Sequence, residues 1–203
     1  MEAVTKSAPG PSWTAPYAKI RADCYVVLAS LLGQPPSENL LKVLQNLQWE
    51  ESVPEGIDRA LGDLRQAGGK YSLGALEEEY GKLFVGLGSG EIVPYASWYR
   101  EKKMQAAPLA LLRSDLVRLG IVRQAENREP EDHAGALCEC MALLCQSPKE
   151  RDRATQAGFF QRHVAPWMTT FFKDLESAKS ARFYRIVGLF GRRFLETESE
   201  YLE

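Results

Sequence analysis

Apolar positions along this chain recur at three- and four-residue intervals rather than alternating, and that period predicts helices from one end to the other. Ile20, Cys24, Val27, Leu28 and Leu31 make one stripe. After the Pro35, Pro36 break, Leu40, Val43, Leu44 and Leu47 make the next, each with a polar face opposite. Further stripes are Ile57, Leu61 and Leu64 after Pro54, then Leu73, Leu76, Tyr80, Leu83 and Phe84 after Ser72, then Leu109, Leu112, Leu116 and Leu119 after Pro108.

In the second half, Glu129, Pro130, Glu131, Asp132 and His133 read as a helix start. Pro130 at the first helical position wastes no N–H, and the carboxylates suit the dipole's positive end. His133 then heads a stripe through Leu137, Cys140, Met141 and Leu144. Ser147, Pro148 and Glu150 combine a capping serine, a first-turn proline and a glutamate three residues after the cap, which predicts a helix to about His163. Pro166 lacks a donor and should break or kink the chain, separating Phe160 and Val164 from Trp167, Phe171 and Leu175. A closing helix is expected over roughly Ala181 to Tyr201, with Phe183, Val187, Phe190 and Phe194 on one line and Ile186 and Leu189 widening it. Gly188 and Gly191 each cost about 1 kcal/mol in a helix, so they point to close packing on a neighbour.

The architecture expected is all-α, a bundle of about 8 to 11 helices with short antiparallel connections. Two stretches lack helical period, Val85 to Ser97 and Gly120 to Arg128. The polar second stretch suggests an arm at 1–16, an amino-terminal lobe at 17–120, a hinge at 121–129 and a carboxy-terminal lobe at 130–203, two lobes of one integrated unit. Such a hinge would permit either a monomer or a domain-swapped dimer.

Composition narrows the function. At 203 residues, 45% hydrophobic and with a formal charge of −2, the chain can bury a large core but has no basic footprint for nucleic acid. The proline-rich first residues lack the apolar centre of a secretory signal, and Tyr25 to Leu32 is too short to span a bilayer, so a cytoplasmic location is expected. Cys24, Cys138, Cys140 and Cys145 suit neither a disulfide framework nor zinc: two of them, two apart on a helix, point about 200° from each other. No metal or cofactor is expected.

The segment Gly86, Leu87, Gly88, Ser89, Gly90 invites a nucleotide-binding reading, including a GTP switch. A phosphate cradle, however, follows a strand and opens a helix, whereas here a helix precedes and aromatics follow. A turn delivering Tyr95, Trp98 and Tyr99 fits better. A hydrolase using Asp132 and His133 is the other alternative, weakened because adjacent helix residues diverge by about 100°. The pair Arg192, Arg193 imitates a twin-arginine signature but sits in a helical pattern near the carboxy-terminus.

Tyr80, Leu83, Phe84, Gly86, then Pro94, Tyr95, Ser97 and Tyr99, together with the Pro130 to His133 segment and Met141, resemble the TorD/DmsD family of redox-enzyme maturation chaperones. His163, Pro166, Trp167, Phe171, Phe183 and Tyr184 fit as well, and the resemblance covers about Tyr17 to Glu198. It implies an all-helical cytoplasmic chaperone, not an enzyme. Such a chaperone binds the twin-arginine signal peptide and the apo-form of a molybdopterin oxidoreductase, assists cofactor insertion and delays export.

Elementary chemistry agrees with that implication, because a leader with a basic front and an apolar middle needs carboxylates beside a greasy groove. The residues expected there are Glu79, Tyr80, Phe84, Pro94, Tyr95, Trp98, Tyr99, Pro130, Glu131, Asp132 and His133, with Asp132 pairing a guanidinium. Blander roles stand beside these. Glu77 to Glu79 can be a solvated helix face, the aromatics core, and His133 a histidine tied to backbone at the core edge.

Overall fold

A computed structural model describes residues 14–50, 52–85, 90–104, 107–122, 129–146 and 153–203. Its helices, in order, are α1 (Thr14–Gly33), α2 (Glu38–Gln45), α3 (Glu55–Gly68), α4 (Leu73–Tyr80), α5 (Ala96–Glu101), α6 (Ala107–Leu119), α7 (Ala134–Gln146), α8 (Arg153–Phe159), α9 (Met168–Ser177) and α10 (Phe183–Leu202). Wider π turns extend α4 through Gly81–Val85 and α8 through Phe160–Val164. Among the described residues the only bridge of strand type pairs Tyr95 with His133. The chain is all-α, as its apolar period requires.

Capping explains several boundaries. Ser37 Oγ accepts from Leu40 N at 3.2 Å and Ser72 Oγ from Ala75 N at 3.4 Å, which starts α2 and α4. The chain turns through 165–167 around Pro166, separating α8 and its π turn from α9. Three boundaries differ from expectation, the start of α7 among them. α1 begins at Thr14, inside the stretch assigned to a loose arm, while residues 1–13 lie outside the described set. α5 occupies residues expected to be a turn, because Asp132 supplies its amino-terminal cap from another segment. The Ser147, Pro148, Glu150 start, Gly86 to Ser89 and 123–128 of the hinge also lie outside the described residues.

Helix α1 packs along α7, and α10 packs on α9 and α3, so one continuous core runs from Tyr17 to Leu202. Gly188 and Gly191 bring α10 onto α9. A Cβ at Gly191 would stand 2.3 Å from a Phe172 ring carbon and one at Gly188 2.9 Å from Glu176 N.

Inside this core lies a polar network. Glu198, fully buried, accepts from Arg21 Nε at 2.6 Å and Nη2 at 2.9 Å, and from the hydroxyls of Tyr17 and Tyr25 at 2.9 and 2.8 Å. Arg21 Nη1 donates to Gln156 Oε1, and Gln156 Nε2 to Leu144 O, so α1, α7, α8 and α10 are tied together. A two-pronged guanidinium–carboxylate pair is tolerated here because its remaining polar capacity is also satisfied.

Candidate functional site

The two segments that carried the sequence resemblance meet in space. Ala134 N donates to Pro94 O at 2.8 Å and Ala96 N to Asp132 O at 3.0 Å, making a short splice between 94–97 and 130–134. Asp132 is 1% exposed, and its Oδ2 accepts from Ser97 N and Oγ at 2.8 and 2.5 Å. It caps α5 and is therefore not a rim carboxylate. His133 Nδ1 accepts from Gly135 N at 3.1 Å, capping α7, and the ring stands edge-on to Tyr95 with centroids 5.1 Å apart. Burial holds its imidazole below the usual pKa, against the pull of Glu129 and Asp132. Because residues 130–133 are used in this splice, α7 begins at Ala134, and Pro130 precedes the helix rather than opening it. Pro94 is buried beside them.

The other expected residues separate into two groups. Glu79 is buried at the end of α4, where its carboxylate accepts from the backbone N–H groups of Arg182, Phe183 and Tyr184 at 2.8, 3.2 and 2.8 Å. It caps α10, whereas Glu77 and Glu78 are solvated. Tyr80 donates to Leu32 O, and its ring packs with Phe84 and Tyr184. On α5, Tyr99 is half-buried against Trp167 and Phe171 and donates to Asp174 at 2.8 Å, while Trp98 stays exposed beneath Lys102.

A surface with the expected character lies between α1 and α7, as a groove of about 440 Å³. Val26 and Ala29 of α1, Ala136 and Leu143 of α7, and Leu116 and Val122 form its apolar walls. Val26 (43%), Leu143 (48%) and Val122 (85%) are exposed, an uncommon grouping of large aliphatics for one concavity. Three carboxylates, Glu129, Glu131 and Glu139, line the same groove. Glu129 accepts from the Tyr95 hydroxyl, so the splice reaches the groove through that residue. Glu131 accepts from Arg113 Nε and Nη2 at 3.0 and 2.9 Å. Burial raises the Glu139 pKa, as expected for a carboxylate among apolar neighbours.

Of the expected site residues, then, only Glu131 lines the groove, with Tyr95, Pro130, Asp132 and His133 in the scaffold beside it. Sequence reasoning missed Val26, Leu143 and Glu139. A usable signal existed, since Glu139 is the single charged residue of α7.

The arrangement does not suit hydrolysis through Asp132 and His133, because Asp132 is bonded to Ser97 and His133 Nδ1 to a backbone N–H. A closer His–Asp pair exists elsewhere, His163 Nε2 to Asp115 Oδ2 at 2.7 Å, but Arg162 and Arg118 share that carboxylate as an ion-pair node. All four cysteines are free thiols, and burial pushes Cys140 up to about 12 and Cys145 to about 11. Among the described residues no cluster of His, Cys, Asp or Glu could hold a metal ion, and no helix is long and apolar enough to cross a membrane.

The family model described as nitrate reductase delta subunit matches residues 26–173, a span that includes the splice and every wall of the groove. The chain belongs to this family. Its similar relatives include "Chaperone protein TorD" of Pasteurella multocida, 30% identical over 175 residues, covering 80% of this chain and 87% of that protein. "Tat proofreading chaperone DmsD" of Salmonella typhi is 25% identical over 183 residues, covering 85% and 88%. A putative redox enzyme maturation protein from Archaeoglobus fulgidus shares the fold, with a TM-score of 0.58 over 97% of this chain and 99% of that one, at 18% identity. The nitrate reductase delta subunit family to which the chain belongs is thus one of redox-enzyme maturation chaperones, not of enzymes.

Proposed function

We propose that this chain is a cytoplasmic chaperone that binds the twin-arginine leader of an apo molybdopterin oxidoreductase and holds it until its cofactor is in place, so delaying export. The observation that carries this reading is the α1–α7 groove, with exposed Val26, Val122 and Leu143 beside Glu129, Glu131 and Glu139. Carboxylates in a partly apolar setting reward a guanidinium with charge-assisted hydrogen bonds, and the aliphatic walls suit the leader's apolar middle. Asp132, His133 and Tyr95 serve this groove indirectly: the first two fix the start of α5 and α7, and the third holds Glu129.

The test is calorimetric titration of a synthetic leader peptide with an Arg-Arg pair into the wild type and into a Glu129→Gln, Glu131→Gln, Glu139→Gln variant. Loss of about 1 to 3 kcal/mol is expected for removing charge-assisted bonds. Equal affinity for both proteins would remove the groove from leader binding.

A further inference from the structure

Many surface cations of the described chain have a carboxylate partner. Lys19 pairs with Glu50, Lys42 with Glu38, Arg59 with Glu55, Lys82 with Glu78, Arg113 with Glu131, Arg162 with Asp115, and Arg192 with Glu176. Four cations without such a partner converge on one place. Lys70, Lys179, Arg182 and Arg185 are all exposed, form no ion pair with a described residue, and line one trench of about 460 Å³ with Tyr71 and Ala181. Lys70 Nζ lies 5.9 Å over the Tyr71 ring, and Lys179 has a longer-range attraction to Glu91, a carboxylate already hydrogen-bonded to Ser180. The trench runs on into a second concavity that shares Tyr71, Lys179 and Arg182 and is bounded by Ala75 and Lys82.

We infer that this trench, between the start of α4 and the α9–α10 connection, docks an acidic polypeptide segment of a partner protein. Four like charges held together on a chain of net charge −2 repel one another, and an external counter-charge relieves that repulsion. A small phosphate is the weaker fit. The N–H groups at the start of α10, which would grip it, are already taken by Glu79. A nucleic acid is weaker still: its phosphates follow one another without interruption, so a strand running on from the trench would bring one to exposed Glu78, whereas a polypeptide can place a neutral residue there. A polypeptide whose carboxylates are spaced along an extended or helical stretch can meet Lys70, Lys179, Arg182 and Arg185 in turn while its neutral residues lie over Tyr71 and Ala181. The trench shares no lining residue with the α1–α7 groove, so the two surfaces can be occupied at once.

The experiment uses the full chain and a short fluorescent peptide of alternating Glu and Ala, followed by anisotropy at several salt concentrations. The wild type should bind it with an affinity that falls as salt rises. Arg182→Glu with Arg185→Glu should weaken it about tenfold or more, while the same charge change made by Lys42→Glu with Arg59→Glu on another face should cost far less. Three results would overturn the inference: no binding by the wild type, equal losses in the two double variants, or tighter binding of ATP or an oligothymidylate that displaces the peptide. Binding of the Arg-Arg leader should be the same in the wild type and in the Arg182, Arg185 variant. Its loss there would contradict the separation of the two surfaces, whereas its absence in both proteins would count against the groove and leave the trench standing.

Discussion

Asp132 and Ser97, 35 positions apart, are joined by two hydrogen bonds onto one carboxylate oxygen, Asp132 Oδ2. Asp132 Oδ1 is buried without a hydrogen-bond partner. This carboxylate therefore holds the splice between α5 and α7 and is closed off from solvent. Asp132→Ala should lose about 1 to 3 kcal/mol of stability, because it strands the backbone N–H and hydroxyl of Ser97. Urea denaturation measures this. A variant as stable as the wild type that has lost leader binding would return Asp132 to the recognition surface.

That reversal shows where the sequence was legible and where it was not. The helical period located the long helices, Ser72 marked the start of α4, and the two glycines of α10 announced its approach to α9. Asp132 and Glu79 misled because an acidic residue at a helix boundary has the same local sequence whether it faces solvent or caps a helix that arrives from elsewhere in the chain. The cap partners of Glu79 are more than 100 positions away. The groove was illegible for a related reason: Val26 and Leu143 lie on helices whose apolar residues are mostly core, and they are left exposed on the flank of the packed α1–α7 pair, which only the tertiary arrangement defines.

Glu198→Gln should destabilise the fold more than the Asp132 change does, by about 3 to 5 kcal/mol, since it leaves the buried Arg21 guanidinium without its counter-charge. Replacing both partners with apolar residues, Arg21→Met with Glu198→Leu, should recover much of that loss. Thermal denaturation of the single and double variants checks the pair.

Acid should weaken the fold before any carboxylate titrates in bulk. Burial holds His133 and His163 below the ordinary 6.5, Asp115 opposing the effect at His163. The unfolded chain therefore takes up these protons first as pH falls, so the stability present above about pH 6.5 declines on acidification towards the lower folded values. His133→Asn, which keeps an acceptor for Gly135 N, should flatten part of that slope in denaturation curves run between neutral and mildly acidic pH. Leader affinity should decline over a partly overlapping range, because burial raises the Glu139 pKa and its charge is lost earlier than that of an ordinary glutamate.

Arg113 is half-exposed yet places two N–H groups on Glu131, the position a leader guanidinium would take. Arg113→Ala should therefore tighten an Arg-Arg peptide about threefold, the worth of one such surface pair. Weaker binding in the titration would mean instead that Arg113 steadies Glu131 for the ligand.

The most direct test of the leader groove is a methyl NMR titration of the intact protein with an Arg-Arg leader peptide. Val26, Val122 and Leu143 should shift together and saturably, while Leu73 and Val85, aliphatics exposed elsewhere on the molecule, should stay in place. Shifts confined to Leu73 or Val85, or no shift at saturating peptide, would contradict leader capture between α1 and α7.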